Sequence, residues 1–241
     1  MVVSTVKVNG YSIEGDALTC DCGYNVMKLA KEMLAEGYAG FYGLVGLPRT
    51  VASAAVNNAG CFSCSISEML ISADVLMPNG TIKIFKRDDF GYEKRSSKFK
   101  RGEVKGVVLS VKLKLEKAES IEEEYRKSEE TKVYRKTNQE GPAKNLGSVF
   151  AKMTLKYNYR NRMAAIITTI ATRIGFKNKK LFHKCILLWL YGYSDLNSYI
   201  SDKQLNTFVW RDADAEQKFA RYKEFMDKVF DDLIQEVEER L

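Results

Sequence analysis

The chain of 241 residues has one histidine, His183, far along the sequence from Cys20, Cys22, Cys61 and Cys64. Those four thiols form C-D-C and C-F-S-C pairs, and C-x-C is a poor spacing for structural zinc. Together with Cys185 they read as buried or incidental thiols, a four-thiolate zinc site being the alternative, and no metal is expected. No apolar run is long enough to span a bilayer. No N-terminal stretch has the basic, apolar and small-residue order of a secretion signal, so the expected location is the cytoplasm. No internal repeat is visible. Between Gly43 and Gly60, "GLVGLPRTVASAAVNNAG", there is no acidic residue and little side-chain bulk.

What is present reads as a globular chain with a real core, 45% hydrophobic and 29% charged. A net charge of +7 favours anionic partners: nucleotides, nucleic acid and acidic lipid all qualify. No recognised nucleic-acid motif accompanies the charge, so nucleic acid is not expected.

Local patterns order the chain. "TVKVNGYSIEGDALTC" predicts a pair of strands with turns at Asn9-Gly10 and Gly15-Asp16. "NVMKLAKEMLAEG" predicts an amphipathic helix with Val26, Leu29, Ala30, Met33 and Leu34 on one face and Gly37 as its stop. "SEMLISADVLMPNGTIKIF" predicts two strands around a Pro-Asn-Gly turn, and "GVVLSVKLKL" alternates as a further strand. From Glu116 to Glu140 the chain is charged without apolar periodicity, a linker that becomes helical where i,i+4 charge pairs recur. Beyond it "RMAAIITTIATRIGF" and "KKLFHKCILLWLYGY" read as apolar helices or helix–strand mixtures with basic flanks. The segment from Asp212 to Leu241 reads as one amphipathic helix with an aspartate at its N-cap.

The bare stretch has two readings. Glycine and alanine let backbone approach a flat or phosphorylated ligand, with peptide N–H groups turned to anionic oxygens. They serve a tight turn between strand and helix equally well.

The run "GYAGFYGLVGLPRTVASAAVNNAG" resembles the flavin-facing segment of the UDP-N-acetylenolpyruvoylglucosamine reductase family. Four further stretches come in that family's order: "DDFGYEKRSSKFKRG", "YRKTNQEGPAKNLGSVFAK", "YISDKQLNTFVW" and the tail "LIQEVE". The resemblance implies an α+β fold: a partial vanillyl-alcohol-oxidase/PCMH-like FAD-binding domain over residues 1–117, then a smaller, helix-rich substrate-binding domain over residues 118–241. It implies a flavoprotein oxidoreductase like UDP-N-acetylmuramate dehydrogenase, using FAD and NADPH to reduce the enolpyruvyl ether of a UDP-sugar for peptidoglycan or capsule. Flavin contacts are then expected from Gly46, Leu47, Pro48, Thr50, Val51, Ala54, Asn58, Ala59 and Gly60. Arg95 matches the family arginine that stabilises the enolate, if Glu93 and Lys94 are a local insertion. Ser148 matches the proton donor and Glu236 the C-terminal glutamate of the same step. Tyr92, Lys144 and Lys203 are expected at the substrate, with Lys100 and Arg101 as further pyrophosphate candidates. For Arg95 the alternative is one more cation in a solvated basic run, for Ser148 a turn serine after Gly147, and for Glu236 a plain helix position.

Three departures qualify the resemblance. The family's Gly-x-Gly-Ser-Asn phosphate loop does not occur before Gly37, so the expectation is a chain without the usual N-terminal FAD subdomain, which a separate chain could supply. Arg49, Ala52 and Ser53 stand where the family has glycines. Residues 154–199 have little family character and are apolar and basic. Those residues read as buried helices of a remodelled substrate domain, or as a basic patch making peripheral contact with anionic membrane. A non-catalytic family member acting as an interaction module is the alternative function.

Overall fold

The computed structural model describes residues 5–62, 64–141 and 144–236. The chain divides into two compact units, Met1–Val133 and Tyr134–Leu241. The boundary expected after Lys117 falls just ahead of the helix within which this division lies.

The first unit opens with the hairpin β1 (Tyr11–Glu14) and β2 (Ala17–Asp21), closed by a two-residue loop in which Gly15 takes φ +61°. Helix α1 (Val26–Ala35) comes next, its first turn capped by the Asn25 carboxamide accepting from the Lys28 amide at 3.0 Å. It buries Val26, Leu29, Ala30, Met33 and Leu34, the face read from the sequence. After a 3₁₀ turn at Tyr42–Leu44 come the short helix α2 (Val51–Val56), the tight hairpin β3 (Gly60–Cys61) and β4 (Cys64–Ser65), and one turn of helix, α3 (Ile66–Met69). Strands β5 (Leu70–Leu76) and β6 (Ile82–Lys86) flank the Pro-Asn-Gly turn, and β7 (Val107–Lys114) completes an antiparallel sheet of order β1-β2-β7-β5-β6. Leu18, Val75, Val111 and Leu113 from this sheet share one core with α1 and with Ala54 and Ala55 of α2.

Helix α4 (Ile121–Asn138) carries the charged segment. Its surface is laced by pairs such as Glu123–Arg126 at 2.6 Å and Glu129–Lys132 at 2.5 Å. A helix without an apolar stripe rests on such neighbours three and four residues apart.

The second unit is built around strands β8 (Asn145–Ser148) and β9 (Phe150–Leu155), helices α5 (Tyr159–Arg173) and α6 (Lys179–Tyr191), strand β10 (Thr207–Val209), helix α7 (Ala215–Val229) and strand β11 (Phe230–Gln235). β10 pairs with β8 and β11 with β9, both antiparallel. Its core gathers Phe208, Phe219, Tyr222, Phe225, Leu187 and Leu196.

Two expectations are corrected. The C-terminal segment is not one helix: α7 stops at Val229, and Phe230–Gln235 is strand. Phe230, Leu233 and Ile234 follow the helical period, and pairing with β9, across shifts of register, makes the segment strand instead; the last residues of that expected helix, 237–241, lie outside the described residues. The second correction concerns α5, expected to be a buried helix. It buries Asn161, Ala164, Thr168 and Ala171 and leaves Met163, Ile166 and Ile170 exposed. Among the described residues no helix is long and apolar enough to cross a membrane.

Candidate functional site

In the first unit the bare stretch folds onto itself. Thr50 caps α2 through Oγ1, which accepts from the Ser53 amide at 3.3 Å. The Val51 and Ala52 amides donate to Tyr24 and Cys22 carbonyls at 2.8 and 3.1 Å, so the first turn of α2 spends its donors inside the protein. Val51, Ala54 and Ala59 are buried, and Gly46 and Pro48 are exposed, with Leu47 between. Gly46 takes φ +90°, a conformation that favours glycine.

Two other glycines are fixed by close backbone approach. A Cβ at Gly43 would lie 2.2 Å from the Cys61 carbonyl oxygen, and one at Gly60 would lie 2.2 Å from that of Cys64. Much of the small-residue signal is therefore explained by the β3–β4 hairpin nesting against its neighbours. Cys61 and Cys64 face each other across that hairpin, and all five cysteines are free thiols.

Asn58 sits just past α2 with φ +44°, one of the few non-glycine residues at home there. Its Nδ2 donates to the Glu93 carbonyl at 2.9 Å, while its Oδ1 is buried with no partner. The Tyr92 hydroxyl is likewise buried and unpartnered, its ring stacked on Phe90 at 5.0 Å. Burial pushes the Tyr92 phenol well above its usual range. Two orphaned polar atoms in neighbouring stretches are uncommon in a well-satisfied fold.

Arg95 is at a turn. The Glu93 and Ser96 amides and carbonyls exchange hydrogen bonds at 3.1 Å each, so Lys94 and Arg95 form a two-residue loop with Arg95 at φ +59°. The insertion expected from the sequence was Glu93 and Lys94, whereas the pair at the tip of this loop is Lys94 and Arg95. Ser97 beyond it is buried and donates from Oγ to the Val56 carbonyl at 2.6 Å. Arg101 is committed elsewhere, to Glu103 at 2.5 Å and Glu93 at 3.4 Å.

The second unit carries a cavity of about 410 Å³ whose wall includes Ser148, Lys180, His183, Lys184, Lys203 and Asn206. Ser148 ends β8, opposite Thr207. Its neighbour Val149 is the switch point of the strand: the Val149 amide donates to the Asn206 carbonyl at 2.9 Å, and its carbonyl accepts from the Glu236 amide at 2.8 Å. Asn206 grips the next residue with its side chain, Oδ1 accepting from the Phe150 amide at 2.9 Å and Nδ2 donating to the Phe150 carbonyl at 2.8 Å. These bonds pin the backbone just after Ser148, which is itself exposed on the cavity wall.

The cations of this wall are anchored. Lys203 Nζ donates to the Lys136 and Gln139 carbonyls at 2.8 and 3.0 Å, closing the end of α4. Lys184 is almost fully buried, yet its ammonium meets the Asn197 and Ile200 carbonyls at 2.9 and 3.0 Å and the Asp202 carboxylate at 2.5 Å. Lys180 Nζ reaches Asn138 Oδ1 at 2.8 Å. Lys144 is exposed at the entry to β8, and its carbonyl accepts from the Trp210 amide at 2.7 Å.

His183 Nδ1 lies 3.0 Å from Thr168 Oγ1, whose own proton goes to the Ala164 carbonyl at 2.7 Å. Thr168 is therefore the acceptor, Nδ1 carries the imidazole proton, and Nε2 holds the lone pair. Burial holds the His183 pKa below its usual value, aided by the charge of Lys179.

Among the expected residues, Ser148 and Lys203 line one cavity, Lys144 precedes the strand that ends at Ser148, and Glu236 joins the next residue, Val149, only through its backbone amide. Asn58 and Tyr92 are drawn together through Glu93. Sequence reasoning did not single out Asn206, His183, Lys184 or Ser201, whose Oγ donates to Glu140 at 2.6 Å. Asn206 and Ser201 had a signal, both standing within the family-like stretch "YISDKQLNTFVW".

No family model matches this sequence. Curated relatives do: UDP-N-acetylenolpyruvoylglucosamine reductase of Bacillus velezensis is 32% identical over 138 residues, 57% of this chain and 45% of that protein. The enzyme of the same name from Trichormus variabilis is 35% identical over 99 residues, 40% of this chain and 30% of that protein. The matched region thus spans less than half the length of either relative. The crystal structure of UDP-N-acetylenolpyruvylglucosamine reductase from Thermus caldophilus superposes with a TM-score of 0.61 at 21% identity, covering 96% of this chain and 74% of that one. That likeness establishes the α+β fold.

Proposed function

We propose, from the premise that the chain is a relative of the UDP-N-acetylenolpyruvoylglucosamine reductases, that it is a flavin-dependent reductase acting on the enolpyruvyl ether of a UDP-sugar, with NADPH as reductant. The observation that carries this reading is Ser148, held by its neighbours' backbone bonds at a cavity whose wall holds anchored lysines.

FAD would be held by the first unit, where two buried polar atoms have no partner. The orphaned Asn58 Oδ1 suits an N–H of a flat heterocycle, and the Tyr92 hydroxyl suits a carbonyl or phosphate oxygen. Gly46, Leu47, Pro48 and Thr50 would offer backbone beside it, with Val51, Ala54, Ala59 and Gly60 behind. Bound FAD would supply hydride transfer, which no side chain can. The protein's part is to place the ether and manage charge and proton. Ser148 would deliver the proton from Oγ, a weak acid that needs a fixed position to act. Glu236, bonded by its backbone to Val149, would assist that proton's replacement. Arg95 would offer its guanidinium to the developing enolate. Lys144 and Lys203 would face the phosphates.

The test separates two half-reactions. Protein incubated with FAD and freed of excess should be yellow, and NADPH should bleach it. Ser148→Ala should bleach at the parental rate while losing about 10²–10⁴-fold in substrate reduction. Equal loss in both halves would refute the role of Ser148, and a protein that stays colourless after FAD treatment would end the reductase reading.

One observation favours a second reading, a non-catalytic interaction module. The Val51 and Ala52 amides, which a flavin-facing loop would offer outward, are already bonded to Tyr24 and Cys22. A colourless but stably folded protein is its expected result.

A further inference from the structure

Helix α5 faces the wrong way for a helix that meets only water on its outer side. Its buried line, Asn161, Ala164, Thr168 and Ala171, is small or polar. Its outer line is Met163, Ile166 and Ile170, continued by Ile174 at the C-cap; Ile166, Ile170 and Ile174 are 56%, 55% and 74% exposed. Steps of three and four residues set these four side chains in one stripe along a helix of roughly 22 Å. At its end the chain turns through Gly175, φ +108°, and presents Phe176, also exposed, before α6 begins. Scattered exposed hydrophobics need no explanation; a continuous stripe along one face of a helix does.

Charge identifies what covers it. No aspartate or glutamate occurs between Glu140 and Asp195, and that interval holds ten lysines and arginines, in a chain whose net charge is +7. Arg173, Lys177, Lys179 and Lys180 surround the turn at Phe176. A second copy of the chain would bring two cationic rims together, so self-association through this stripe is opposed. The cover is therefore negatively charged and accepts bulky aliphatic side chains from a convex ridge rather than from a groove. An anionic lipid surface does both, taking isoleucine and phenylalanine into the headgroup boundary while phosphates meet the lysines and arginines.

We propose that the α5–α6 hairpin is an attachment face that rests in the plane of an anionic bilayer, with the Ile174–Phe176 turn and the Met163–Ile170 stripe entering the lipid. This reading is independent of flavin or of any reaction.

The full chain is sedimented at low ionic strength with vesicles of phosphatidylcholine alone or mixed with phosphatidylglycerol. The expected result is binding to the mixed vesicles only, weakened by salt. Replacing Ile166, Ile170 and Ile174 by serine should lower the bound fraction roughly tenfold or more. Lys177→Glu with Lys179→Glu, at exposed positions that leave the stripe intact, should do likewise, and thermal melts establish that each variant is folded. The proposal is overturned if the parent stays in the supernatant with anionic vesicles, or binds both compositions alike. It is equally overturned if both folded variants bind as the parent does, or if the parent is held by polyglutamate but not by vesicles.

Discussion

At Asn206 both ends of one carboxamide are spent on the backbone of Phe150. Asn206→Ala should cost about 2 kcal/mol, because two partly buried backbone groups lose their partner; urea unfolding monitored by tryptophan emission measures it, and a change within about 0.5 kcal/mol would contradict the clamp. Gly60→Ala should cost about 1–3 kcal/mol by forcing the β3–β4 hairpin apart. Gly141→Ala, with nothing within 4 Å of the new carbon, should be close to neutral. His183 gives a pH signature. Its folded pKa is lowered from 6.5, chiefly by burial. Below that value the unfolded chain takes up the proton first, so the contribution is complete above about 6.5 and is lost as pH falls through the folded pKa. His183→Gln should flatten the fall in melting temperature between neutral and mildly acidic pH, and a variant with the parental slope would count against this assignment. Asn206 was partly legible, since it stands within the family-like stretch "YISDKQLNTFVW"; that it answers Phe150, 56 residues away, was not.

At the scale of elements, α1 was read with its buried face intact because periodicity is local and its core partner only needs to be apolar. The hairpin β1–β2 was read for the same reason, its Gly15-Asp16 turn being a matter of two residues. α7 and β11 were read as one helix because Phe230, Leu233 and Ile234 fit a helical face; pairing with β9 lies outside any local window. The loop after α6 depends on the buried Lys184. Lys184→Met should cost about 2–4 kcal/mol, since the methionine packs but leaves the Asn197 and Ile200 carbonyls without their donor. A guanidinium titration gives the number, and a more stable variant would show that packing outweighs those bonds.

Over the whole molecule, two separate cores occupy two units. Both tryptophans, Trp189 and Trp210, are in the second unit, while Cys20, Cys22, Cys61 and Cys64 are in the first. Tryptophan emission and thiol trapping should therefore report different denaturant midpoints. Coincident curves would mean that the units unfold together. The resemblance to the reductases could be read from five short stretches because each is a local string, and it carried the α+β fold with it.

By itself the sequence determined which segments are helix and strand wherever periodicity is local, the positive charge of residues 141–194, and the likeness to a flavoenzyme. Only the tertiary structure decided that Gly43 and Gly60 serve close backbone approach within the unit and that Val51, Ala54 and Ala59 are buried there. It alone placed Ser148 beside Asn206 and Glu236, and turned the isoleucines of α5 outward. The physical reason is the same in each case: a side chain's period says which residues share a face, whereas the choice of face, and of the backbone groups it satisfies, belongs to partners far along the chain.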